Sequence, residues 1–577
     1  MERRVFVAIL LSFSVLYAYQ TFFAPQTPPV KPGESAAVTG RPAQPSATTS
    51  SVPAAVPVAG SSEAAAVVAE EQERRVTVET RTVIAEFSNR GARLIHWRLK
   101  DYRDPQGDPV DLVPTDLPPG QDSPFVLRVQ DQQASRQLAG ALFRVTGANS
   151  GRADVSREPG VVTFDYEDAS GLKATKQFRF EPDGYVVGFS ARVERAGQPL
   201  APTVVWGPGL GDRGAAAGGG SFFTGNATQS PEAIYHRDGK VERIAQNKVS
   251  PQTPYDGEFR FAGIDDHYFV AVAINPGRVR LEYQPVTVPS ADGNERRFVS
   301  HAMAFQSAPN GLRFFVGPKQ FDLLRAADAE LVRVINFGFF AWLVVPLLST
   351  LKWLYGFTGN YGWSIILLTI IINLVMFPLR HKSAVAMRKM QALQPQMKAI
   401  QEKYAHLKMT DPDRQKMNTE VTALYRERGV NPASGCVPML LTLPVLLAFY
   451  ALLSQAIELR GAPFTLWIRD LSGADPYYVI PALMGVTMLW QQKVTPAAMD
   501  PAQQKVMMIM PIMFTAMMIF SPSGVVLYWF VSNLWAIGQQ YFTNWMIGPP
   551  TPVAPPATRR VKPVGSGRST GAQKGQQ

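Results

Sequence analysis

A basic loop with helical texture, hung between two apolar runs, constrains this chain more than any other feature. The run Tyr361–Leu379 reads YGWSIILLTIIINLVMFPL and passes directly into RHKSAVAMRKMQALQPQMKAIQEKYAHLKM; the next run is GCVPMLLTLPVLLAFYALL. Between Arg380 and Gly429 there are eleven Lys/Arg against five Asp/Glu. Short loops rich in Lys and Arg stay on the cytoplasmic side of a membrane. The loop therefore orients everything around it.

The chain has 577 residues, too many for one domain. Its formal charge of +11 is uneven, with +13 from Leu331 onward and −2 before it. Charge collected in membrane loops and tail reads as topology and surface binding rather than as a nucleic-acid domain, and the same charges could meet a ribosome. The one cysteine, Cys436, excludes a disulfide framework, so any outer domain must stand on its own core.

Residues 1–23 read as an uncleaved N-terminal membrane anchor with its start inside. Residues 24–71, rich in Pro, Ala, Ser and Thr, read as a disordered linker. Residues 72–320 change character. Alternating runs such as RRVTVETRTVIAEFSN and KATKQFRFEPDGYVVGFSARVER are separated by turn signals, which predicts an antiparallel β-sandwich. The four histidines there, His96, His236, His267 and His301, have no metal-ligand spacing, and Asp265-Asp266-His267 reads as a capped turn. Residues 331–357 read as an interfacial amphipathic helix with Trp342, Lys352 and Trp353 at headgroup depth. A crossing there would put the basic loop outside.

Residues 358–545 carry the remaining spans: Tyr361–Leu379, Cys436–Leu459, Tyr477–Trp490, Val506–Phe520 and Val525–Phe542. With the anchor this makes six spans and both termini inside. The spans Tyr477–Trp490 and Val506–Phe520 are short, which favours local bilayer thinning. Segment 380–430 reads as a cytoplasmic helical hairpin. One stripe holds Met387, Met390, Leu393, Met397 and Ile400; the other holds Met417, Val421, Leu424 and Tyr425. Residues 546–577 form a basic, disordered cytoplasmic tail. The fold class is thus a polytopic α-helical membrane protein with a large all-β outer domain.

Polar residues inside spans are functional candidates. Thr369 and Asn373 share one helix face, Thr442 lies near the inner end of its span, and Ser532, Gln539 and Gln540 share a face of the last span, with Asn533 beside them. All sit in the inner half. That pattern predicts a hydrophilic recess open to the cytoplasm and shut outside. Helix–helix packing is the alternative for each residue. No Walker motif or zinc spacing occurs, and no cofactor, metal or small-molecule substrate is expected.

The strings NPASGCVPMLLTLPVLLAFYALL, RGAPFTLWIRDLSGADPYYVIPALMGVTML, DPAQQKVMMIMPIMF and PSGVVLYWFVSN resemble the YidC membrane insertases of Gram-negative bacteria. The order of anchor, linker and β-domain resembles that family too. The resemblance implies a bacterial inner-membrane insertase and chaperone, not an enzyme, whose outer domain is a periplasmic β-supersandwich and whose five-helix core encloses a groove open to cytoplasm and lipid. It implies nascent membrane proteins, lipids, the Sec translocon and, through basic loop and tail, the ribosome as partners. The groove residues are then Thr369, Asn373, Thr442, Tyr528, Trp529 and Ser532, and clients touch Met439, Leu446, Met510 and Phe514. The family commonly carries an arginine in the groove wall where this chain has Asn373. A solute transporter or channel, or an anchored periplasmic carbohydrate-binding module, are the competing readings.

Overall fold

The computed structural model describes residues 66–104, 106–115, 120–148, 150–211, 231–250, 253–289, 295–404, 413–429, 437–495 and 501–547. The expected anchor, nearly all of the linker, Cys436 and nearly all of the basic tail lie outside these residues.

Alternation of apolar and polar residues produces two sheets. In the strand Leu172–Phe180, every second residue from Leu172 is buried. Its neighbours Gly160–Asp168 and Val186–Arg195 pair with it antiparallel in continuous register. The larger sheet has fourteen strands. Its main path runs Ala66–Val68, Gly160–Asp168, Leu172–Phe180, Val186–Arg195, Leu312–Pro318, Phe269–Pro289, Tyr255–Asp265, Glu232–Arg237, Lys240–Ile244. The smaller sheet runs Pro109–Asp111, Arg93–Arg103, Val83–Ser88, Arg75–Glu79, Arg152–Asp154, and its last pair is parallel.

The sheets pack face to face through aromatic rings. Phe87 of the smaller sheet lies 4.6 Å from Phe178 of the larger, and Phe125 contacts Phe178, Phe189, Trp206 and Phe314 within 5.0–5.4 Å. One tertiary brace is Lys176, 1% exposed. Its Nζ donates to the carbonyls of Gly91 (2.6 Å), Ala92 (3.1 Å) and Phe125 (2.8 Å). Three acceptors match the three donors of an ammonium, although burial pushes its pKa down to about 7.

Ten α-helices are described. Helix α1 (Gln132–Gly140) lies within the β-domain sequence and α2 (Phe321–Ala327) follows it. Helix α3 is Ala341–Thr358, preceded by a 3-10 turn at Ala329–Val334. It occupies the later part of the stretch 331–357 expected to form an interfacial amphipathic helix. Val344, Leu348, Leu351 and Leu354 form a buried stripe, but the opposite face exposes Trp342, Trp353 and Phe357. Its polar residues Ser349, Thr350 and Lys352 interrupt an otherwise apolar sequence. Gly359 at φ +62° ends it, and Asn360 opens α4 (Tyr361–Ala392) by accepting the amides of Gly362 and Trp363. Helix α4 continues well past Arg380, so the expected loop begins as helix. It breaks at Leu393, where Pro395 sits in the first turn of α5 (Gln394–Lys403).

Helix α6 is Asp413–Glu427, α7 Val437–Gln455, α8 Val479–Val494, α9 Pro501–Met518 and α10 Ser523–Ile547. Among the described residues, Gly338–Thr358 and Tyr361–Ala392 are long and apolar enough to cross a membrane, and Leu443–Gln455 and Met507–Met518 are shorter apolar helices. The chain divides into two compact units. One holds the described residues up to Ile366 with Leu447–Ala482 and Met513–Tyr528; the other holds Leu367–Leu446, Leu483–Ile512 and the described residues from Trp529.

Candidate functional site

Within the second unit, α4 carries the candidate residues Thr369 and Asn373, 0% and 2% exposed. Asn373 Nδ2 donates to the Thr369 carbonyl at 2.7 Å, one helical turn back. Its Oδ1 accepts Arg380 Nη1 at 2.6 Å. In the sequence Arg380 stands only as a charge of the basic loop. Cα–Cβ bonds in a helix tilt toward its N-terminus, so an arginine two turns beyond Asn373 is aimed back along the span. The i, i+7 spacing was the signal for this contact. Where the resembling family has an arginine in the wall, this chain holds an amide that accepts a guanidinium from further down the same helix.

Helix α10 supplies the second element. Ser532 Oγ, Trp535 Nε1 and Gln539 Oε1 are buried and have no hydrogen-bond partner. Their i, i+3, i+7 spacing puts them on one helix face. Each buried polar group without a partner costs about 1–3 kcal/mol, so a polar partner reaching this face would be favoured. Asn533 faces elsewhere, its Nδ2 lying 3.4 Å from both the Met484 carbonyl and Thr487 Oγ1 of α8, a packing contact. Further along both helices, α4 and α10 are tied together. His381 Nδ1 lies 3.3 Å from Thr543 Oγ1, Arg388 donates to Asn544 Oδ1, and Phe377 packs on Phe542 at 5.9 Å.

The other candidates are placed less centrally. Tyr528 is buried, its ring stacked on Phe449 at 4.2 Å within the first unit. Trp529 and Leu446 are half-buried, Met510 is exposed and Phe514 is half-buried. Met439 and Thr442 lie on the backbone of α7, with side chains outside the described residues. Helix α9 exposes Met508, Ile509, Met510, Ile512 and Met513, a broad apolar surface. In the hairpin, Tyr425 meets Met397 at 3.0 Å and Lys403 pairs with Glu420 at 2.8 Å, so the two stripes pack on each other. Among the described residues no cluster of His, Cys, Asp or Glu could hold a metal ion.

Residues 353–548 match the family described as 60Kd inner membrane protein, and residues 75–350 match the YidC periplasmic domain. The chain is 35% identical to the membrane protein insertase YidC of Geobacter metallireducens, over 94% of this chain and 98% of that one. It is 34% identical to the membrane protein insertase YidC of Citrifermentans bemidjiense, over 94% and 99%. A solved YidC insertase structure with its first transmembrane domain resolved is similar at 19% identity, with a TM-score of 0.35, over 83% of this chain and 95% of that one.

Proposed function

Because this chain belongs to the YidC family of membrane protein insertases, we propose that the polar faces of α4 and α10 are the wall along which it passes its clients. The protein inserts membrane proteins into the bacterial inner membrane, and carries a periplasmic all-β domain beside a helical insertase region. The observation that carries the wall is the row Ser532, Trp535 and Gln539, three buried polar atoms with no partner on one face. A client's polar outer segment must cross hydrocarbon, and a wet recess shortens the dry part of that path. Its apolar segment meanwhile gains burial along the apolar surfaces of α7 and α9. Arg380, held by Asn373, supplies a cation at the recess for acidic client segments. No bond is made or broken, so the work is binding and solvation.

The same reading gives six spans with both termini inside, α3 lying at the outer interface, and clients contacting Met439, Leu446, Met510 and Phe514. Thr442 and Trp529 join the recess. The tail residues Arg559, Arg560, Lys562, Arg568 and Lys574, with the hairpin, contact ribosomes electrostatically, and the Sec translocon is a working partner. Photoreactive residues at Leu446 and Met510 test the path. Capture of a nascent span at both positions supports it. Capture only within the β-domain, at Phe189 for instance, would overturn it.

A further inference from the structure

Helix α7 ends at Gln455, and the last four carbonyls of a helix have no partner inside it. One of them, that of Ser454, accepts a hydrogen bond from His267 Nε2 at 3.0 Å. His267 is 6% exposed and comes from the turn between the β-strands Tyr255–Asp265 and Phe269–Pro289. A carbonyl only accepts, so Nε2 carries the proton. Nδ1 is buried without a partner, which fits a neutral ring. Burial, with Lys319 and Arg460 nearby, holds the pKa down at about 4.

The turn itself is fixed. Asp266 Oδ1 accepts the His267 amide at 2.7 Å, and the Asp266 amide donates to the Phe269 carbonyl at 2.9 Å. Buried Asp265 pairs with Lys319 at 2.9 Å and with Arg243 at 3.4 Å. Just beyond α7 the chain returns the contact. The Arg460 guanidinium lies over the rings of Phe269 (4.7 Å) and Tyr268 (5.5 Å). Glu458, its side chain 5% exposed, faces Lys352 of α3 at 3.7 Å. Three independent contacts thus converge on the end of α7 and the few residues after it, two of them from a single β-turn.

We infer that the 265–269 turn is a positioning element for insertion: through His267 it fixes the outer end of α7, the helix along which the client is read to pass, and the inference rests on that reading. His267 touches no client. It sets where the helix stands when a client arrives.

The test uses the full-length chain reconstituted in lipid vesicles, with a photoreactive residue at Leu446 or Met510 and a two-span client. His267→Ala is expected to slow insertion about fivefold, the scale of one buried hydrogen bond. It should lower the capture ratio of Leu446 to Met510 while leaving the unfolding temperature near its original value. His267→Gln, whose amide can donate to the same carbonyl, is expected to restore both rate and ratio to within about twofold. An unchanged rate and ratio, Gln behaving as poorly as Ala, or equal loss at both probes with a lowered unfolding temperature would each overturn the inference. Should His267→Ala fail to accumulate, Arg460→Leu tests the joint from the helix side; the same fall in ratio supports the inference, and an unchanged ratio overturns it. Absence of client at Leu446 in the unsubstituted chain would remove the reading of the path, and the inference with it.

Discussion

The imidazole of His301 lies flat against Trp206, centroids 6.4 Å apart and planes 6° from parallel, with neither nitrogen hydrogen-bonded. Burial holds its pKa at about 3, and that of His267 at about 4, against an unfolded value of 6.5. Between these values and 6.5 the unfolded chain binds the extra protons. Stability from both groups is therefore complete above pH 6.5 and is lost as pH falls, toward about 4 for His267 and about 3 for His301. Chemical unfolding followed by tryptophan fluorescence should show stability falling below pH 6.5, by up to about 1.4 kcal/mol per pH unit for each histidine. His301→Phe should flatten that slope, and an unchanged slope would count against the assignment. In the recess, Asn373→Leu removes the acceptor that holds Arg380. It should slow clients with a charged outer segment about tenfold, on the order of 1.4 kcal/mol, and spare clients with a neutral one. The exchange Asn373→Arg with Arg380→Asn should restore them. Two clients differing only in that charge make the measurement, and equal slowing of both would mean that Asn373 is helix packing alone.

Gly362 opens α4 against the loop that follows α7. A Cβ there would come 2.0 Å from the Phe464 ring, itself stacked edge-on with Trp363 at 5.6 Å. Gly362→Ala should destabilise the purified protein in detergent by about 1–3 kcal/mol, the scale of overpacking, seen as a lowered unfolding temperature; an unchanged midpoint would show that the loop moves freely. The periods of 2 and 3.6 were legible in the chain: the strand Leu172–Phe180 and the stripes around Met397 and Tyr425 pack as their spacing says. Other features were not legible, for separable reasons. Arg380 reads as a charge, and charge carries no direction until the tilt of the Cα–Cβ bond is considered. Trp535 looked apolar, although its indole N–H adds to the row between Ser532 and Gln539. Helix α3 starts later than the 331–357 expected, after a 3-10 turn at Ala329–Val334 that no periodicity marks, and it exposes Trp342, Trp353 and Phe357.

At the scale of the molecule, orientation is the property on which the others depend. In a Cys436→Ser background, a single cysteine at the exposed position Lys389 should react with an impermeant reagent only after the inner membrane is opened. One at Lys173, also exposed, should react from the periplasmic side. Labelling of position 389 in sealed cells would sink the six-span arrangement. The brace at Lys176 has a different consequence. The outer domain works in a compartment where many proteins are stapled by thiol oxidation, yet its sheets are joined by aromatic rings and by one ammonium reaching three carbonyls. With a single cysteine in the whole sequence, its maturation requires no oxidoreductase and no disulfide reshuffling. A cell that has lost its periplasmic oxidant should therefore still fold this domain, which has no intrachain disulfide to form.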